Sequence, residues 1–394
     1  MKKLLVLCVL FAFMVSPFVL FAAGGQERAP AVDPYDEWMR NAQIGPYLPE
    51  VEDWDAIYEA AKKEGKVIIY ASSSRIFDAT QSFEEAYPGI TVEAYNISTV
   101  EILEKIEREH QAGIRNADLI LTGGIPPVAE DLLARQIIND YCPSILFDVI
   151  PEHFRTPYLT ARLGATVMAY SDVVYSGEPI ESIWELTLPE WKDKSIIRDP
   201  LRSSGSLEWV TTFVRYADEM EAEYERFFGR PIELTTENAG YEFIKRLLNN
   251  GLQLASGSRD ALDAVSVDTI AQPPIGQITS SNYRDVMSGR YQFDILYDMK
   301  PKAGMAGSTG FSLVGFAPHP NAAKLLMLWI LGGPPGTEGY AGFEPWFVTG
   351  NWPVRTDMGV PEPFLPLAEY NFWFQDQKLF DLMPDVMDFW LVHM

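Results

Sequence analysis

From Asp53 to Thr122 the chain alternates short apolar runs with amphipathic helical patterns, and that alternation restricts the fold class more than any other feature it has. Trp54, Ile57, Tyr58 and Ala61 fall at helical spacing behind Asp53, a side chain suited to capping a helix start, and Gly65 can end that helix. The pattern then predicts a strand over 66–71, a helix over about 76–87, a Pro88–Gly89 turn and a strand over 90–95. A helix over about 99–112 and a strand over 118–121 complete it, with Ser98 and Glu101 spaced as a capping box. Strands separated by helices form parallel β-α-β units, and ligands of open α/β sheets bind beyond the carboxyl ends of the strands.

Small polar clusters sit at such ends. "KVIIYASSSR" breaks from an apolar run into Ser72, Ser73, Ser74 and Arg75, and the third strand ends in Thr122 and Gly123. Unsatisfied amides at a helix start, serine hydroxyls and a guanidinium together suit an anionic or oxygen-rich ligand. Read alone, the junction is more simply a Ser74 helix cap beside a solvated Arg75, and it is the rest of the chain that shifts the balance. The same chemistry recurs at Ser203, Ser204, Gly205 and Ser206, before a helix expected to begin near Leu207. "ITSSNY", with Ser281 and Tyr283, and "GSTGF" (307–311) add two more clusters. Four clusters spread over two halves point to a cleft with two jaws, although any one of them could serve as an ordinary turn.

The N-terminus bounds the compartment. Lys2 and Lys3 precede an apolar stretch from Leu4 to Leu20 and then Ala22 and Ala23, which reads as a secretory signal peptide over 1–23. Cys8 lies inside the apolar stretch, so a lipoprotein cleavage site is not expected. Export makes the location periplasmic. Cys142 is then the only cysteine and reads as a small buried apolar residue. The formal charge falls from -24 to -26 once the two lysines are removed, which argues against nucleic acid or anionic lipid as partner and favours a monomer. About 370 remaining residues exceed what a single core holds, so two lobes are expected. Residues 24–52, rich in proline, read as an extended lead-in.

These stretches, taken in order, resemble the extracellular solute-binding proteins of ABC importers, in the branch with ferric-ion, sugar-phosphate, phosphonate, polyamine and thiamine binders. "WDAIYEAAKKEGKVIIYASSS", "FEEAYPGITVEAYNIST" and "ADLILTGG" carry the likeness in the first half. "LGATVMAYSD", "WELTLPEWKDKSII" and "FAPHPNAAKLLMLWIL" carry it further on. The resemblance implies an α/β, two-lobed clamshell of the periplasmic-binding-protein type II kind, with hinge strands crossing near 166–171 and 310–316. The lobes would then be 53–165 with 310–394, and 166–309. It implies capture of a small solute for delivery to a membrane permease, without bond chemistry and without a cofactor.

Ferric-binding members resemble one another in a histidine near the first strand-helix junction and a tyrosine pair in the second lobe. Here Ser74 or Arg75 stands in the histidine's region and "SSNYR" supplies Tyr283 alone. Fe(III) needs several oxygen or nitrogen donors and arginine is not one. His110, His153, His319 and His393 have no spacing for a shared metal site. A phosphorylated or carboxylated organic anion suits the serine and arginine clusters better, with ferric ion as the alternative. A secreted hydrolase is the rival of another class, but no G-x-S-x-G, H-E-x-x-H or P-loop pattern occurs. The aromatic tail from Tyr340 to Met394 reads as packed on the first lobe, with Trp346 and Trp352 able to reach the cleft.

Overall fold

The structure, a computed structural model, describes residues 33–123 and 129–394. The proposed signal peptide lies outside them. The lead-in is not extended where it is described. Asp33 accepts a hydrogen bond from the Tyr35 amide at 2.9 Å and Pro34 takes the first position of α1 (Pro34–Ala42). Proline there loses no useful amide donor and arrives with a helical φ, so the residue read as a break is a start. Ala42 and Ile44 are buried in the first core and Tyr35 is buried too.

The next units follow the expected alternation. Asp53 caps α2 (Trp54–Glu64) through the Ala56 amide at 3.0 Å, and Gly65 ends it in the left-handed conformation. Then come β1 (Lys66–Ala71), α3 (Ile76–Ala86), β2 (Thr91–Asn96), α4 (Thr99–Gln111), β3 (Leu119–Gly123) and α5 (Ala129–Ala134). Both halves of the Ser98–Glu101 capping box form. β1 pairs in parallel with β2 and β3, and apolar residues from both faces of this half-sheet are buried.

After the short β4 (Ile138–Asn139) the chain crosses on a twelve-residue strand, β5 (Leu159–Tyr170), which starts seven residues before the expected crossing. The second half holds β6 (Ser195–Arg198), α6 (Ser204–Arg215), α7 (Ala217–Phe228), α8 (Ala239–Asn249), β7 (Gln253–Ala255), α9 (Ser258–Val265), β8 (Ile275–Thr279), α10 (Arg284–Met287) and β9 (Asp294–Ile295). β6 pairs in parallel with β7 and β8. The return strand, β10 (Gly304–Val314), lies antiparallel to β5 and to β3, so two long strands join the half-sheets in the order β2-β1-β3-β10-β5-β8-β6-β7. α11 (Pro320–Ile330) then packs on α2 in the first half.

The tail corrects the sequence reading. β11 (Asn351–Pro353) pairs with β5, β12 (Phe372–Phe374) with β10, and α12 (Gln377–His393) packs on α6 and α8. Trp373, Leu379, Val386 and Trp390 join the core of the second half, with Trp184, Phe213 and Phe243. Arg215 grips Asp376, the cap of α12, at 2.6 and 3.0 Å. The last helix therefore belongs with the second half, not the first. Its apolar face fits a sheet-covering helix, and the face alone does not say which sheet.

Candidate functional site

The carboxyl ends of six parallel strands converge. Ser72 follows β1, Thr99 follows β2, Gly123 ends β3, Arg198 ends β6, Ser258 follows β7 and Thr279 ends β8. All six residues line one cavity of about 450 Å³ between the half-sheets, floored by β5 and β10. Topology thus puts the starts of α3 and α6 on the same void, and both offer amides and hydroxyls to an anion.

Of the twelve residues named one by one as site candidates, eight lie on its wall, Ser72, Ser73, Ser74, Arg75, Gly123, Ser204, Gly205 and Ser281, and the 307–311 cluster adds Gly307, Ser308 and Thr309. Four of the twelve do not. Thr122 is buried behind the wall with its hydroxyl 2.7 Å from that of Thr99. Ser203 caps α6 by accepting the Ser206 amide at 3.3 Å, so the helix begins at Ser204 and not near Leu207. Ser206 turns inward, its Oγ 2.5 Å from the Arg198 carbonyl and 2.9 Å from Gln277 Oε1, which share its one proton. Tyr283 packs against Phe293 and Phe364. Ser74 caps nothing, since no side chain caps α3. Trp346 and Trp352 are core residues, yet Trp346 touches the site indirectly, its indole donating to Ser73 Oγ at 3.2 Å.

The structure adds Arg162, Arg198 and Arg284 to Arg75 on the wall. Arg162 is held by Asn351 at 3.2 Å, and Arg198 by Gln277 and Thr166 at 3.4 Å each. Arg284 donates to the Ser281 carbonyl at 2.7 Å. The Arg75 side chain forms no hydrogen bond or ion pair among the described residues, and it faces two like charges. Burial, then the Arg284 and Arg162 guanidiniums, push it down to about 9. Burial likewise pushes Arg162 and Arg198 down to about 10. Arginine stays charged across the range in which proteins survive, so these shifts register guanidiniums held away from solvent, with Asp285 and Asp78 offsetting part of the effect at Arg75. Glu208 is the one carboxylate among the described wall residues, and no tyrosine or histidine side chain joins it.

The histidines stay out of the site. His319, at the start of α11, pairs with buried Asp118 at 2.9 Å. No cluster of three or more His, Cys, Asp or Glu able to hold a metal occurs among the described residues. Cys142 is buried, and burial pushes its thiol up to about 12.

No protein-family model and no curated protein matches the chain. Solved structures do. Iron-bound HitA from Pseudomonas aeruginosa superposes at a TM-score of 0.65 with 15% identity, over 83% of this chain and 99% of that one. AfuA from Actinobacillus pleuropneumoniae, a periplasmic binding protein with exogenous fructose-6-phosphate bound, gives 0.61 with 17% identity, over 84% and 98%. The Trichodesmium protein IdiA or FutA, in complex with iron and citrate, gives 0.56 with 15% identity, over 84% and 99%. The fold is therefore the two-lobed α/β clamshell of the periplasmic binding proteins, type II. No helix among the described residues is long and apolar enough to cross a membrane.

Proposed function

We propose that the protein is the solute-binding component of an ABC importer, exported to the periplasm, where it captures a small phosphorylated or carboxylated organic anion between its lobes and delivers it to a membrane permease. One observation carries the reading: four guanidiniums face one carboxylate in a cavity between two half-sheets. Such a wall repels cations and gains a charge-assisted hydrogen bond for each anionic oxygen it meets. The chain's formal charge is -24, so the cationic cavity is a local exception in an acidic surface and concentrates anions where they are useful.

The neighbours bracket the choice of solute, because HitA and the Trichodesmium protein, like several others, are named with iron and AfuA with a sugar phosphate. Direct iron binding is disfavoured here by donor chemistry, since the described wall offers guanidiniums in place of phenolates or imidazoles. The same wall disfavours a hydrolase: its serines have no histidine beside them to act as base. Binding without turnover fits the neighbours, which are binding proteins.

A ligand that touches both jaws can do so only when they are closed, so it stabilises the closed state. Small-angle scattering and thermal shift with fructose 6-phosphate as probe test this. Compaction and a raised melting temperature are expected for the wild type. A Ser72→Ala/Ser73→Ala variant and a Ser204→Ala variant should each weaken both responses, by roughly three- to tenfold in affinity per lost hydroxyl contact. Tight binding without compaction, or dependence on one jaw alone, would sink the clamshell reading.

A further inference from the structure

Glu208 is out of place in an anion site. It lies on α6, is only 3% exposed, and lines the cavity that holds the four arginines. It does not neutralise one of them in a direct ion pair; its hydrogen-bond partner among the described residues is the amide of Gln375 in the tail. That amide has a fixed sense. Its Oε1 accepts the Ser308 N–H at 3.2 Å, so its Nε2 is the end that donates to Glu208. Gly307 makes the arrangement possible, because a Cβ there would stand 2.7 Å from the Gln375 amide.

The chain of bonds from Ser308 through Gln375 therefore leaves Glu208 as an acceptor. A carboxylate offers about four acceptor positions and Gln375 occupies one. For sulfate, which carries no proton near neutral pH, such a group is purely repulsive, and a phosphate gains from it only in the form that keeps a P–OH. It becomes favourable when the ligand brings a donor. An ammonium would serve electrostatically but would be repelled by Arg198, which faces Glu208, and by the other three guanidiniums. A neutral hydroxyl meets no such penalty.

We propose that Glu208 accepts a hydrogen bond from a hydroxyl group of the ligand, so that the site selects anions with a hydroxylated body over tetrahedral anions that carry no proton. This rests on the anionic-solute reading of the cavity. Burial pushes the Glu208 carboxyl up to about 7, while the Gln375 hydrogen bond and the Arg198 charge oppose that shift and favour the ionised form, which only accepts.

The substitution that reads the mechanism is Glu208→Gln. With Gln375 still donating to the side-chain oxygen, the new amide must turn its NH2 toward the cavity, so the corner changes from acceptor to donor. Calorimetry at a pH of about 8, where Glu208 is mostly ionised and phosphate monoesters are dianions, should compare sulfate and methyl phosphate with triose, pentose and hexose phosphates on both proteins. The wild type is expected to bind at least one sugar phosphate about tenfold or more tighter than methyl phosphate. Glu208→Gln should erase that preference while tightening sulfate and methyl phosphate severalfold. Gln375→Leu leaves α6 untouched and should lower the preference in the same direction, which keeps the test usable if the first variant folds poorly. An unchanged preference, or equal weakening of every anion, overturns the Glu208 assignment alone. A wild type that binds none of these anions overturns the anionic-solute reading together with it.

Discussion

Replacing Arg75 with alanine is expected to weaken binding of the anionic solute roughly ten- to a hundredfold while raising the melting temperature of the ligand-free protein. The two effects share one cause. The side chain has no hydrogen-bond or ion-pair partner among the described residues, it is half-buried, and Arg284 and Arg162 face it, so burial and like charge oppose its charged form and Asp285 and Asp78 offset them only in part. A charge held in that way costs stability until a ligand compensates it. Titration calorimetry and a thermal scan of the same preparation decide the matter. Lower stability of the ligand-free variant would mean that Arg75 is a structural residue, and unchanged affinity would remove it from the site.

A larger effect on stability is expected at Lys324. Its ammonium, 1% exposed on α11, donates to the Gln43 carbonyl at 2.9 Å and to Glu52 at 3.3 Å. Glu52 also accepts from the Tyr141 hydroxyl at 2.7 Å and the Ser144 amide at 2.8 Å. This buried knot ties the segment after α1 to the first half-sheet and its covering helix. Burial lowers the Lys324 pKa and the neighbouring Glu52 opposes that shift. Lys324→Ala removes one partner and strands a carboxylate in the interior, a change that costs about 3–5 kcal/mol. Lys324→Met combined with Glu52→Gln should recover much of the loss, because no unpaired charge then remains. Denaturant unfolding measures both; a single-variant loss below about 1 kcal/mol would show that the knot does not anchor the segment.

What the sequence made legible was local. Asp53, Gly65 and the Ser98–Glu101 pair announce helix ends through bonds to their own neighbours, and each does as its type predicts. The place of the two serine clusters on the cavity wall was legible because each stands between a strand end and a helix start, and the topology of parallel units does the rest. The other three arginines depend on long-range geometry. Arg162 reaches the cavity beside a bulge where Thr309 pairs with Arg162 but Gly310 with Thr160. A Cβ on Gly310 would meet the Leu159 carbonyl at 2.0 Å, so the irregularity requires glycine there, and no periodicity announces it. Arg198 and Arg284 had a weak signal, standing at the end of "SIIR" and beside "SSNY", where strand ends meet the cleft. Asn351 and Gln375 had none, since they arrive from a tail whose docking partner is set by packing. Ser203, Ser206 and Thr122 were misread for the converse reason: a hydroxyl near a cleft is as well used inward, on a cap or a neighbouring backbone, as outward.

Native mass spectrometry of protein purified at low salt without refolding reads the central proposal most directly, compared between wild type and an Arg75→Ala/Arg198→Ala variant. The expected result is a one-to-one adduct with the mass of a phosphorylated or carboxylated organic molecule on the wild type and its absence from the variant. A stoichiometric Fe(III) adduct in its place, or an organic adduct that the variant retains equally, would contradict it.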